Sequence, residues 1–234
     1  MKQVNPSGPA PVHDGMGRIL SNPDRVRLNR LISEAEKRTK TQIVLAVIRR
    51  CDSYPELPWK AFAMAASIAG LVVFARDFPG YAWSSRMTAL IAATSILAGG
   101  AVFALLAVFM PAFARLFLSR HRARTEVRQY AESLFLSREL FATRGRTGVL
   151  LLVSLFERRV VLLPDKGLRK RLTDDAMRDV IAAMAPHLRR NKIDRALEEG
   201  LERLTRHLRA SARARPSRRA KNELSNEIIE EKGV

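Results

Sequence analysis

The chain has 234 residues, enough for one domain of ordinary size with additions. Its hydrophobic content of 47% allows a real core, and its one cysteine, Cys51, excludes an intrachain disulfide. With 41 Lys+Arg against 23 Asp+Glu the net charge is +18, which suits nucleic acid, an anionic membrane surface or the cytoplasmic flanks of membrane helices, while 6% aromatics speak against a stacking mode of single-strand binding.

Residues 1–21 carry Lys2 but no apolar run behind it, so they do not read as a secretory signal; their Pro, Gly and Ser content reads as a flexible lead-in. NPDRVRLNRLISEAEKRTK follows. Asn22 reads as a helix cap with Pro23 in the first position, and Val26, Leu28, Leu31, Ile32 and Ala35 form an apolar stripe. Ile43 to Ile48 is a continuous, β-branched-rich run, the pattern of a strand buried on both faces.

Then the pattern changes. Ala61 to Ala75 holds no charge, and Trp59 and Lys60 extend it toward the about 20 residues that a bilayer requires. RDFPGYAWSSR connects it to a second uncharged run, Met87 to Ala114, long enough to span with tilt, with Pro111 marking a kink or an exit. A pair of buried core helices is the competing reading of these two runs. Arg49, Arg50 and Lys60 flank one end, and Arg115, Arg120, Arg122, Arg124 and Arg128 the other. The positive-inside rule therefore puts both ends in the cytoplasm and the Pro79–Gly80 turn outside, as expected of a multi-pass inner-membrane protein. Much of the positive charge is explained without nucleic acid, which is therefore not the expected partner. The juxtamembrane arginines would meet anionic lipid first.

Val127, Tyr130, Ala131, Leu134 and Phe141 share a helical face that Arg138 interrupts. GVLLLVSL and RRVVLLP then form two strands about the joint Phe156–Glu157–Arg158–Arg159, an antiparallel hairpin closed by Pro164. Thr173 caps the next helix, with Asp174 and Asp175 in its first turn and Pro186 late. Asn191 reads as the cap of a last helix striped by Ile193, Leu197, Leu201, Leu204 and Leu208. From Arg209 the chain is poor in apolar residues and reads as a mostly disordered charged tail.

One strand before the apolar runs and a hairpin after them cannot stand separately. The expected architecture is one split α/β domain: 22–54 and 119–208 as its two parts, a transmembrane helical hairpin at 55–118 inserted between them, and the tail at 209–234.

RVRLNRLISEAEKRTKTQIVLAVI, followed by YAESLF, RTGVLLLVSLFERRVVLL, DKGL and NKIDRALEEGLERL, resembles the order of elements in the TPM domain family, across about residues 22–50 and 123–208. The likeness is most specific over Arg146–Leu168. It implies an α/β/α sandwich with a small mixed sheet. It implies no settled activity: acid phosphatase, divalent-cation binder and accessory factor for membrane complexes have all been suggested for members.

Asp165, Asp174 and Asp175 are the acidic group that the chemistry singles out. In the family's fold their loops are neighbours, and three carboxylates there would hold Ca²⁺ or Mg²⁺, which could polarise a phosphoryl oxygen or activate water. The same residues also suit a turn and a helix start, and both readings stand at this stage. Lys166, Arg169, Lys170 and Arg171 nearby would attract phosphate yet compete with a cation. His13, His121, His187 and His207 have no metal-ligand spacing, and no nucleophile elbow, phosphate-binding loop or C-x-x-C is present. Cys51 reads as an incidental thiol. Gly99–Gly100 form a small-residue patch suited to packing against Ala66 and Gly70 or against another protein, and the absence of ionisable residues within the two runs argues against an ion pathway. The expectation is a membrane-anchored, non-enzymatic accessory protein with a protein partner or membrane complex, with a metal-dependent phosphatase as the alternative.

Overall fold

The computed structural model describes residues 19–77, 86–143, 145–212 and 228–233. In chain order its elements are α1 (Asn22–Thr39), β1 (Gln42–Arg50), α2 (Glu56–Asp77), α3 (Arg86–Phe109), α4 (Pro111–Ala114), α5 (Arg120–Ser137), β2 (Gly148–Ser154), β3 (Arg159–Pro164), α6 (Asp174–Arg189), α7 (Ile193–Ala212) and β4 (Ile229–Gly233). The lead-in 1–18 and the Pro79–Gly80 turn lie outside the described residues.

The helix ends follow local chemistry. Ser21, one residue before the expected Asn22, caps α1 by accepting from the Asp24 N–H, and α1 stops where Lys40 turns left-handed and donates its N–H to the Glu36 carbonyl. Thr173 caps α6 as expected, accepting from the Ala176 N–H. Pro186 falls near the end of that helix, which closes three residues later. Asn191 takes φ 56 in the turn before α7 instead of capping it.

The sheet is mixed, in the order β3-β2-β1-β4. β1 runs parallel to β2, from Gln42 opposite Gly148 to Ile48 opposite Ser154. β2 and β3 form the expected antiparallel hairpin. Parallel strands need a crossover of about a dozen residues or more, and here the crossover contains α2, α3, α4 and α5. The helical hairpin is therefore an insertion in a connection of the sheet.

Seven consecutive residues of β1, Gln42 to Ile48, are buried, as are all seven of β2. Period-2 alternation divides them between two cores. Ile43, Leu45, Val47, Val149, Leu151 and Val153 meet Leu28 and Ile32 of α1, Val180 and Met184 of α6, and Leu197, Leu201 and Leu204 of α7. Val44, Ala46, Ile48, Leu150 and Leu152 meet Val127, Ala131 and Leu134 of α5 on the other face. The fold is an α/β/α sandwich with a small mixed sheet.

α2 and α3 pack antiparallel. A side chain on Gly100 would press into the Phe62 ring, and Gly70 faces Ile96. Gly99 faces open space, so only half of the expected small-residue patch is used within the hairpin. Both helices are long and apolar enough to cross a membrane, with only 17% and 11% of their apolar windows buried, unlike core helices of a soluble protein. Ile68, Leu71, Phe74, Leu90, Leu97 and Leu105 are among the large side chains that stand exposed on them.

Most of the tail expected to be disordered, 213–227, lies outside the described residues; its two ends carry regular structure. α7 continues to Ala212, and Ile229–Gly233 forms a fourth strand, parallel to β1 from Ala46 opposite Ile229 to Arg50 opposite Gly233.

Candidate functional site at the junction of sheet and helical hairpin

The three aspartates take different positions. Asp165 is buried at the end of β3, where one carboxylate oxygen accepts from the Lys166 N–H at 2.7 Å and lies 4.0 Å from the Arg146 guanidinium. Its other oxygen, Oδ2, is buried without a hydrogen-bond partner. Gly167 is required beside it, because a Cβ there would fall 2.4 Å from the Gly145 carbonyl oxygen and 2.5 Å from that of Arg146. Asp174 and Asp175 are exposed in the first turn of α6, and Asp175 pairs with Arg178 at 2.5 Å. Among the described residues no group of three or more His, Cys, Asp and Glu side chains is gathered to hold a metal ion.

The densest polar construction lies elsewhere, where β1 leaves the sheet for α2. Glu157, in the β2–β3 turn, is buried and accepts from the Cys51 N–H at 3.0 Å, from the Tyr54 hydroxyl at 2.9 Å and from the Ser154 hydroxyl. A buried carboxylate needs such partners to offset its lost hydration. Tyr54, fully buried at φ 47, packs against Phe156 with ring centroids 5.6 Å apart, and the Arg50 guanidinium lies 4.7 Å and 5.2 Å from the Phe156 and Tyr54 ring centres. These rings continue into a small third core of Leu57, Ala61, Ala107 and Ala114, which joins the sheet to the base of α2, α3 and α4.

Burial pushes the Cys51 thiol up to about 12, with Glu157 adding to the rise, so it stays protonated and is no nucleophile. Burial and the Glu157 carboxylate likewise raise the Tyr54 hydroxyl well above its ordinary range. Arg122 of α5 completes the clamp from outside, reaching Asp52 at 3.0 Å, Glu56 at 3.2 Å and Glu126 at 3.5 Å. Burial would raise the Asp52 carboxyl, but the Arg122 hydrogen bond and charge, with the Ser53 N–H, hold it below the ordinary value.

The juxtamembrane arginines divide into two sets. Arg122 and Arg128 are taken by carboxylates, the latter by Glu132 at 2.8 Å. Arg115, Arg120 and Arg124 have no carboxylate partner among the described residues, and the β2–β3 hairpin adds Arg158 from its turn and Arg159 from the start of β3. Arg159 donates to the Arg120 carbonyl oxygen at 3.3 Å, and its Nε is buried without a partner. Burial and the charges of Arg124 and Arg120 lower the Arg159 pKa; burial and Arg158 lower that of Arg115. Burial is the larger cause in both, and the like charges add to it. Three of the five were legible as a basic run. Arg158 and Arg159 were missed, since a charged hairpin turn reads as solvated. A groove of about 860 Å³ between α1 and α7 is also rich in arginine, but there Arg27, Arg30 and Arg206 pair with Glu198, Glu34 and Glu202.

Against known proteins, residues 115–207 match the TPM domain family. A solved structure, the NMR structure of BA42 protein from the psychrophilic bacterium Bizionia argentinensis, aligns with a TM-score of 0.54 at 15% identity, covering 93% of this chain and 99% of that one; at that identity the likeness concerns the fold. No curated protein matches the chain. The family match begins just after α4 and ends at His207 within α7, taking in α5, the β2–β3 hairpin with Glu157, Arg158 and Arg159, and α6; over that part the chain is similar to the TPM domain.

Proposed function

We propose that this TPM domain is an anchored, non-enzymatic interaction module of the inner membrane. α2 and α3 cross the bilayer, both chain ends lie in the cytoplasm, and the sandwich sits against the cytoplasmic leaflet to engage a protein partner or membrane complex. The observation that carries the reading is the set Arg115, Arg120, Arg124, Arg158 and Arg159, uncompensated among the described residues beside two exposed apolar helices. Phosphate headgroups of anionic lipids fit such a set, each arginine near the surface contributing about 1 kcal/mol. The Glu157 clamp then fixes the sandwich relative to the hairpin. In nanodiscs, phosphatidylglycerol should raise the Tm relative to phosphatidylcholine, and R115Q/R158Q/R159Q should remove the difference. An equal Tm in both lipids for the unsubstituted protein overturns the headgroup contact.

A second reading rests on the buried, unpartnered Asp165 Oδ2. A divalent cation there, with Asp174 and Asp175 approaching, would support metal-dependent phosphate-ester hydrolysis. Calcium or magnesium should then raise the Tm in the unsubstituted protein but not in D165N; no shift with either ion removes this reading.

A further inference from the structure

β4 is an unusual addition to the sheet. It follows α7 after sixteen residues, 213–228, and occupies only the far half of the outer edge of β1, from Ala46 to Arg50. The near half of that edge is served differently: the Ile43 N–H donates to the buried Glu36 carboxylate of α1 at 2.8 Å. A protein shields an open strand edge because unpaired backbone groups recruit other strands. Here one half is closed by a side chain within the fold, and the other by a strand joined to it through a long connection.

The contacts of β4 are specific and alternate between the two faces. Ile228 is buried in the α1 core, and Ile229 packs against the α5 core. Glu230 accepts from the Ile19 N–H at 3.1 Å and lies 3.5 Å from Arg25. Glu231 accepts from the Tyr130 hydroxyl at 2.5 Å and lies 3.6 Å from Arg138. The edge thus recognises two apolar residues followed by two carboxylates, in parallel register.

The connection does not confine β4 to its own edge. Arg171 donates to the carbonyls of both Leu208 and Thr39, so α7 ends beside the start of β1, whereas β4 pairs with its far half. Nine residues of β1 span about 30 Å, and sixteen extended residues reach about 50 Å. The surplus is enough to reach a neighbour.

We propose that the outer edge of β1 is a strand-docking site that also accepts the Ile229–Gly233 strand of a second copy of this chain, giving dimers by reciprocal strand exchange. The sequence that fits the edge is the chain's own, and exchanging an identical element trades identical contacts, so only connection entropy separates the two arrangements. Two copies held in one membrane meet at high effective concentration. That last point rests on the anchored reading; the exchange itself does not.

The test uses full-length chains in a Cys51→Ser background. Ala46 and Ile229 are register partners, so A46C with I229C in one chain should form an internal disulfide on mild oxidation. Differently tagged chains, one A46C and the other I229C, are then co-expressed and oxidised in membranes. The proposal expects a disulfide between the tags, reduced at least tenfold when the I229C chain also carries E230K and E231K. Bonding only within the doubly substituted chain overturns it. So does a bond between tags that ignores the glutamate substitutions, which would mark random collision. Failure of the internal bond removes the pairing on which the proposal stands.

Discussion

β1 and α3 are both nearly continuous apolar runs, yet the protein treats them oppositely. From Gln42 to Ile48 every residue of β1 is buried, with a helical layer over each face of the sheet. Of the 24 residues of α3, only Gly100 and Ala107 are buried. Apolar sequence states a demand to leave water; it does not state what will meet that demand. For β1 the protein supplies the cover. For α3 the described residues supply α2 along one side and Phe113 of α4 at its base, and they leave the rest exposed, as the proposed bilayer setting requires.

The largest way to break this comparison is to charge the exposed helix. Leu97→Arg with Ala101→Arg places two guanidinium groups on one face near the centre of α3, at about 2.5–3.5 kcal/mol each in a lipid setting, and the protein should then be lost from carbonate-washed membranes. Retention at the normal level would mean that α3 is not in lipid. Next comes truncation at matched sites. Leu45 is fully buried, so Leu45→Ala should cost about 2–5 kcal/mol in denaturant unfolding. Leu97 is 60% exposed, so Leu97→Ala in detergent should change stability by less than about 0.5 kcal/mol.

A smaller effect sharpens the boundary between the two regions. Glu157→Ala leaves the Cys51 N–H and the Tyr54 hydroxyl as orphaned buried donors, at about 1–3 kcal/mol each. Limited proteolysis between Cys51 and Glu56 should then rise, while Asp52→Asn, on the more exposed Arg122 pair, should change stability by less than about 1 kcal/mol. The subtlest readout is the Cys51 thiol. A rise from 9.0 to about 12 lowers the thiolate fraction at pH 8 about a thousandfold, so maleimide should label the protein only after unfolding. The sign for stability follows: the raised thiol contributes fully below pH 9 and its contribution is lost as pH rises toward 12.

What was legible follows the range of the interactions. β1, the β2–β3 hairpin, the Thr173 cap and the apolar runs rest on neighbours in sequence, and period and capping chemistry reveal those. Residues 22–50 lie outside the family match, yet register pairing makes β1 the partner of β2, as the argument against isolated strands required. β4 was not legible, because Glu230, Glu231 and Gly233 are poor strand formers and only tertiary pairing makes them one. Glu157 was hidden for the same reason: it sits in a charged turn, and its partners Cys51 and Tyr54 are more than a hundred residues away. Asp165 was visible as a turn residue, but nothing local announces that one of its oxygens is buried without a partner.

The central claim is that the hairpin crosses the bilayer with the sandwich on its cytoplasmic side, and cysteine accessibility in intact cells tests it most directly. In the Cys51→Ser background, Gly80→Cys in the connection between α2 and α3 should react with a membrane-impermeant maleimide added outside. Arg138→Cys, half-exposed at the end of α5, should react only after permeabilisation. Labelling of Arg138→Cys in intact cells, with Gly80→Cys protected, would contradict the account.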